Sequence, residues 1–475
     1  MTLLIALLAT PLLAAGLLAL TRDRLATVVH GVAALVTATL ALGVSVAVVR
    51  ETSLEALDGL LRADALSAWM VALIGVVAAL AAFEAPHYAH AAPHRFYPFF
   101  HLFVFTMLLA VTTDDVGFMW VAVEGTTLAS VFLVNFERTR ASLEASYKYV
   151  LICSVGIAVA FLGTVLIYFA DVTRAGDVEH VLRWTTLRRL APSLPAGIVE
   201  MAFVFLLVGY GTKAGLAPMH TWLPDAHSEA PAPVSAMMSG ILLAIGVYAI
   251  LRFKPIVDLA AGPAVARRLL LGLGLASIAV AAAFLWNPRS YKRMLAYSSV
   301  EHLGLVSLGL GFGGPWGIAG AMLHIANHAL AKSVLFLLSG RIRSAYASIE
   351  IDAVRGLLAR LPVTGSLFFA AMLALMGLPP FGLFVSEVMI FGAGFASGHI
   401  VLTVVALGLV VIAFAGLVRT LPRMLYGEAA GRGGERAAWT AAPLVAALVL
   451  LLMTGLAWPP GLADALAGIA GVIAP

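Results

Sequence analysis

Charge is scarce in this sequence, and cysteine is almost absent. Asp, Glu, Lys and Arg make up 11% of its 475 residues, against roughly a quarter in a soluble globular chain. The one thiol, Cys153, forms no internal disulfide and holds no iron–sulfur cluster. Inside an apolar run it reads as packing. There is no CxxC, CxxCH or Walker sequence, so the expectation is a chain with no redox centre, no cofactor, no resident metal and no catalytic residue of its own. The net charge of +4 comes from Lys and Arg scattered over short loops rather than from a basic stripe, so nucleic acid is not an expected partner. Apolar residues are abundant: 62% of the chain is hydrophobic, with a mean hydropathy of +1.01. A single soluble core stops growing near ~250–300 residues, whereas a bilayer span uses about 20 apolar residues. The chain therefore reads as an all-α polytopic membrane protein whose first partner is the lipid bilayer. A soluble enzyme and a single-span anchor are both excluded.

Hydropathy marks fourteen spans, near 2–20, 25–49, 64–83, 97–112, 116–135, 147–170, 198–218, 233–251, 268–286, 294–311, 314–339, 362–392, 399–420 and 440–458. The fourth is short. The twelfth is long and holds Gly377, Pro379 and Pro380, which predicts a helix broken near mid-membrane. An even number of spans puts both termini on one side. Of the 29 basic residues, 17 fall on odd-numbered loops or their edges and 10 on even-numbered ones. The positive-inside rule then makes the odd loops cytoplasmic and both termini periplasmic. The N-terminal MTLLIALLATPLLAAGLLALTRDR has no basic leader and reads as a first span, not a cleaved signal. The longest loop, near 171–197, is too short for a soluble domain, and its WTTLRRL reads as a short interfacial helix.

A charge inside the bilayer is costly, so it faces the bundle interior or a wet cavity and marks an ion path. Glu124 lies near the middle of DVGFMWVAVEGTTLASVFLVNF, where a carboxyl could instead stay protonated against Thr126 or Thr127. Lys213 lies in VGYGTKAGLAPMHTWLPDAH, ringed by Gly209, Gly211, Gly215 and Pro218. That is the composition of a discontinuous helix whose exposed backbone lines a cavity. His324, His328 and Lys332 follow one another at steps of four and share a helical face, a proton ladder that His302 extends. A metal site there would need further ligands converging from other helices. Glu387 follows Pro380 by seven residues, on the far half of the broken span. Each half of the chain thus pairs an interrupted span with titratable residues, the pattern of inverted-repeat transporters.

Four segments carry a resemblance: TKAGLAPMHTWLPDAHSEAPAPVSAMMSG, YKRMLAYSSVEHLG, HIANHALAKSVLFLLSG and GLPPFGLFVSE. In order and spacing, over roughly residues 60–425, the chain resembles the antiporter-like membrane subunits of respiratory complex I, group 4 membrane-bound hydrogenases and multisubunit cation/proton antiporters. The resemblance implies a fourteen-helix fold with two inverted five-helix repeats and broken seventh and twelfth helices. Residues 1–96 would then hold helices one to three, 97–251 the first repeat, 252–425 the second and 426–475 the last helix. It also implies a Glu124–Lys213 pair, a His328–Lys332 relay and a terminal Glu387. Many members carry a lysine on the eighth helix where this chain has Ala244 in ILLAIGVYAILR; the relay would then pass through water, His220 or His227. The wording around Glu124 and Glu387 is similar to that of the hydrogenase-4 or formate-hydrogenlyase F type. Implied partners are other membrane and peripheral subunits, NiFe-type and iron–sulfur proteins among them, in a bacterial inner membrane. The expected function is proton translocation driven by redox chemistry on those partners. The alternatives are an inorganic-carbon uptake complex, a cation/proton antiporter, and a scaffold with a vestigial channel. An ion pair ~4 Å apart at an effective dielectric of 20 is worth about 4 kcal/mol, enough for a disturbed Glu124–Lys213 pair to release its proton toward His328, Lys332 and Glu387.

Overall fold

The computed structural model describes residues 2–89, 92–175, 182–428 and 434–474. The chain runs through α1 (Thr2–Leu20), α2 (Asp23–Glu51), a hairpin of β1 (Leu54–Ala56) and β2 (Leu61–Ala63), α3 (Ala65–Glu84), α4 (Pro86–Ala89), α5 (Pro93–Thr112), α6 (Val116–Val134) and α7 (Arg140–Ala175). Next come α8 (Trp184–Leu190), α9 (Ala196–Ala214), α10 (Leu223–Glu229), α11 (Ala232–Met237), α12 (Leu243–Ala261), α13 (Ala264–Leu285) and α14 (Tyr291–Phe312). The chain ends with α15 (Gly314–Tyr346), α16 (Leu357–Arg360), α17 (Pro362–Leu375), α18 (Gly382–Ala396), α19 (Ile400–Leu425), α20 (Ala442–Leu456) and α21 (Leu462–Ile473). Among the described residues, 12 helices are long and apolar enough to cross a membrane, α11 and α12 counting as one. α14 and the α17–α18 pair occupy the remaining two expected positions.

Several boundaries differ from the hydropathy reading. α5 starts at Pro93 and is 20 residues long, so the fourth span is not short; its first turn is aromatic and basic, which hydropathy discounts. α7 extends to 36 residues. WTTLRRL forms α8, while residues 176–181 of the same loop lie outside the described residues. The hairpin and α21 are additions to the expected fold.

The chain divides into two compact units. The first comprises Met1–Gly215, Ile241–Leu269 and Asp464–Pro475; the second comprises Leu216–Gly240 and Leu270–Ala463. In the first unit, Asp64 caps α3 by accepting from Ser67 N at 3.0 Å, and Asp115 caps α6 by accepting from Gly117 N and Phe118 N at 2.8 and 2.9 Å. Single β-bridges join Leu61 to Thr113 and Asp115 to Arg183, gathering loops two, four and six at one end of this unit. α7 and α9 pack closely because Gly209 has no side chain: a Cβ there would stand 2.5 Å from Ala160 N and Gly156 O.

Two helices break as Gly and Pro predict. α9 ends at Gly215 in the left-handed region (φ 73°), and α17 ends before Gly377, with φ 65°. In both, the next helix starts only after a short non-helical stretch. Polarity follows burial. The most apolar 18-residue stretch of Ala232–Ala261 is wholly buried and that of Gly314–Tyr346 is 94% buried, whereas that of Ile400–Leu425 is 28% buried. The ionisable residues Arg252, His324, His328 and Lys332 lie on the first two, where interior helices offer them partners.

Candidate functional site

The first unit holds a compact site on α6, α7 and α9. Lys213, fully buried near the end of α9, donates to Thr127 Oγ1 at 2.8 Å and to Tyr149 OH at 3.1 Å. The Thr127 hydroxyl donates in turn to Glu124 Oε2 at 3.3 Å, one helical turn away. Ser154 donates to Glu124 Oε1 at 2.6 Å, and Tyr149 OH lies 2.7 Å from Ser130 Oγ. The ammonium also sits 5.2 Å from the Tyr149 ring centroid, within cation–π range. The link between Glu124 and Lys213 therefore runs through Thr127 rather than through a direct ion pair. The close α7–α9 approach at Gly209, one turn before Lys213, brings Tyr149 within reach. Glu124 is partly exposed and Lys213 is not.

The second unit holds a longer site on α14, α15 and α18. Lys332 is fully buried and donates to Leu295 O at 2.5 Å and to Ser298 Oγ. Four residues earlier, His328 stands with its ring 5.3 Å from that of His302. His302 Nδ1 lies 2.9 Å from His324 Nε2, and His324 Nδ1 lies 2.9 Å from Ser386 Oγ. Ser386 already donates its hydroxyl proton to Leu383 O at 2.8 Å, so it accepts from His324 Nδ1–H. His324 Nε2 then carries the lone pair and accepts from His302 Nδ1–H, giving the row one polarity. Glu387 is partly exposed at one side, and Gly377 makes room for it, since a Cβ there would overlap its carboxylate. Glu301, buried beside His302, interacts electrostatically with both Lys332 and Glu387.

His220 and His227 also lie in the second unit. His227 on α10 stacks on Phe336 (4.9 Å, 19°), and neither of its ring nitrogens is hydrogen-bonded among the described residues. It interacts electrostatically with Lys332 and Lys292. Lys292 caps α10 by donating to Ser228 O and Ala230 O at 3.0 and 2.8 Å. His220 lies in the break before α10, its ring 6.1 Å from that of Tyr297. Ala244 is buried on α12 just beyond a π-turn, Met238–Leu242. In the second unit, Ser239 of that turn is 2.8 Å from Ser299, the neighbour of Ser298.

Sequence reasoning missed Tyr149, Ser154, Ser298, Ser386 and Glu301. Glu301 was the recoverable one, since it precedes His302 in YSSVEHLG. It also missed a buried ion pair at the loop end of the first unit. Arg252 donates to both Asp64 oxygens at 2.6 and 2.8 Å, to Ser67 Oγ at 2.7 Å and to Tyr248 OH at 2.9 Å. Burial alone would raise the Asp64 carboxyl, but Arg252 and the Ser67 amide outweigh it and hold the group at about 2.

The profile of the NADH:quinone oxidoreductase/Mrp antiporter transmembrane family matches residues 113–413. A hydrogenase-4 component F homolog from Methylacidiphilum infernorum is 38% identical over 373 residues, 77% of each chain. Hydrogenase-4 component B from Escherichia coli is 31% identical over 402 residues, 78% of this chain and 58% of that one. Among solved structures, a chain of the archaeal membrane-bound sulfane sulfur reductase shares the fold with a TM-score of 0.91 at 23% identity, covering 100% of this chain and 98% of that one. This chain belongs to the NADH:quinone oxidoreductase/Mrp antiporter family, as an antiporter-like, multi-pass membrane subunit of the type found in multi-subunit complexes.

Proposed function

We propose that this chain translocates protons for an energy-converting redox complex of the hydrogenase-4 type, with its termini on the periplasmic side of a bacterial inner membrane. The observation that carries the reading is the Lys213–Thr127–Glu124 row. A fully buried ammonium donates to a hydroxyl that donates to a carboxylate. If Lys213 passes a proton to Thr127 Oγ1 while Thr127 passes its own to Glu124 Oε2, Thr127 is unchanged and one proton has moved. In the second unit Lys332 likewise donates to a hydroxyl, Ser298, and the separate His302–His324–Ser386 row has one polarity. Glu387 is the terminal group. With Ala244 in place of a central lysine, the transfer between the two sites falls to His220, His227 and bridging water. Two inverted repeats, 97–251 and 252–425, follow an N-terminal segment of 1–96 and precede a last helix in 426–475. No residue of this chain does redox chemistry in this proposal; NiFe-type and iron–sulfur partner subunits do.

Gentle solubilisation of native membranes, isolation of the chain with its partners and mass spectrometry test the assignment. NiFe-type and iron–sulfur subunits are expected. NADH-oxidising and quinone-site subunits would move the chain to complex I. A single large zinc protein would overturn the redox reading in favour of inorganic-carbon uptake. Proton flux by the isolated chain alone would make it an independent transporter.

A further inference from the structure

We propose that His302, His324 and Glu387 form a binding site for a divalent transition-metal ion, with Zn²⁺ the best match, and that its occupancy blocks proton passage through the second unit. The blocking step rests on the relay reading above; the binding site does not. α14, α15 and α18 each contribute one ligand atom, and the three atoms lie within 4.8 Å of one another. Two imidazoles and a carboxylate are the ligand set that zinc accepts while keeping a fourth position open.

Four features build this site beyond the coincidence of three side chains. His324 is oriented by Ser386, which holds Nδ1 and leaves Nε2 aimed at His302; metal-ligating histidines are fixed through their far nitrogen in this way. The Leu375 carbonyl lies beside the His302 ring without closing a hydrogen bond to Nε2, so it can accept a hydrogen bond from Nε2–H once the ring proton moves there and Nδ1 turns to a metal. Gly377 leaves the space that the Glu387 carboxylate fills. Finally, a second carboxyl stands near: Glu301 interacts electrostatically with Glu387 and with Lys332, whose ammonium already donates to Leu295 O and Ser298. The fourth titratable neighbour, His328, has its ring 5.3 Å from that of His302. Ligand atoms 2.0–2.1 Å from a tetrahedral ion stand roughly 3.3 Å apart. The present His302–His324 distance of 2.9 Å thus needs only a small outward shift, and the partly exposed Glu387 gives the ion a way in.

A bound ion takes the two lone pairs that otherwise share one proton, His302 Nδ1 and His324 Nε2. Metal and proton transfer through this pair exclude each other.

The test uses the purified full chain in lipid nanodiscs, with Zn²⁺ competed against a chromophoric chelator and Co²⁺ as an optical probe. One stoichiometric equivalent is expected, with the intense visible absorption of four-coordinate Co²⁺. Affinity should fall at least 100-fold in His324→Gln and at least 10-fold in the isosteric Glu387→Gln, and stay unchanged in His399→Gln. Melting temperatures establish that each variant is folded. Absence of a stoichiometric equivalent, or wild-type affinity in folded His324→Gln and Glu387→Gln, overturns the site. In the assembled complex, micromolar Zn²⁺ should inhibit coupled proton transfer in the wild type and lose that effect in parallel with binding. Binding without inhibition would overturn the blocking role, and with it the relay role of this histidine pair, while leaving the site in place.

Discussion

The two buried lysines sit in sites of opposite style. In the first unit, Lys213 is two hydrogen bonds from a carboxylate, with a threonine between and a tyrosine beside it. In the second, Lys332 is tied to the backbone and a serine of α14, and histidines extend the row past it. Both lysines are wholly buried, whereas both terminal acids, Glu124 and Glu387, are partly exposed. The common feature is an ammonium enclosed by packing and an acid that is only partly enclosed. The difference is range. Under the proposed relay, a single hydroxyl spans the gap in the first site, which makes it a switch, and imidazoles with two usable nitrogens span the second, which makes it a wire.

The largest expected effect breaks both sites in turn. Lys213→Ala and Lys332→Ala should each abolish coupled proton movement while the complex still assembles, read as proton uptake by inverted vesicles. Next in size is a change that leaves the relay alone. Asp64→Asn removes one partner of the buried Asp64–Arg252 pair and should cost about 3–5 kcal/mol of stability, seen as a lower melting temperature. The pair also sets an acid limit. The Asp64 carboxyl sits near 2, against an ordinary value of 3.8. Its contribution, about 2 kcal/mol, is complete above pH ~4 and lost as the pH falls through ~2. Wild-type melting should therefore drop below pH 4, and Asp64→Asn should remove that part of the dependence.

Thr127→Val sharpens the contrast between switch and wire. It leaves Lys213 and Glu124 each short of one partner at a cost of about 1–3 kcal/mol. Coupled transport should fall roughly 5- to 150-fold, with Thr127→Ser restoring most of it. Ser386→Ala is the smallest change. It frees the His324 tautomer and should slow transport only about fivefold, consistent with one hydrogen bond of about 1 kcal/mol. Equal losses for Thr127→Val and Ser386→Ala would erase the distinction.

Lys213, Lys332, Glu124, Glu387 and the histidines were legible because a charge in an apolar run stands out against the cost of burying it. The breaks were legible too, because Gly215, Gly377 and Pro380 punctuate otherwise continuous spans. Of the hydroxyls, only Thr127 was legible, as a possible partner of Glu124. Tyr149, Ser298 and Ser386 look like ordinary span residues, and only helix packing, such as the α7–α9 approach at Gly209, decides which of them meets a lysine or a histidine. The link through Thr127 replaced the expected direct ion pair for the same reason. Likewise, the convergence of His302, His324 and Glu387 depends on three helices whose crossing no linear pattern encodes. α21 escaped notice because 12 residues fall short of a span.

The most direct test of the two-lysine relay is the number of protons moved per redox turnover in inverted membrane vesicles. Wild type, Lys213→Ala and Lys332→Ala should be compared at equal complex content. Redox turnover should persist in both variants with proton movement lost. Wild-type proton movement in either assembled variant would contradict the relay.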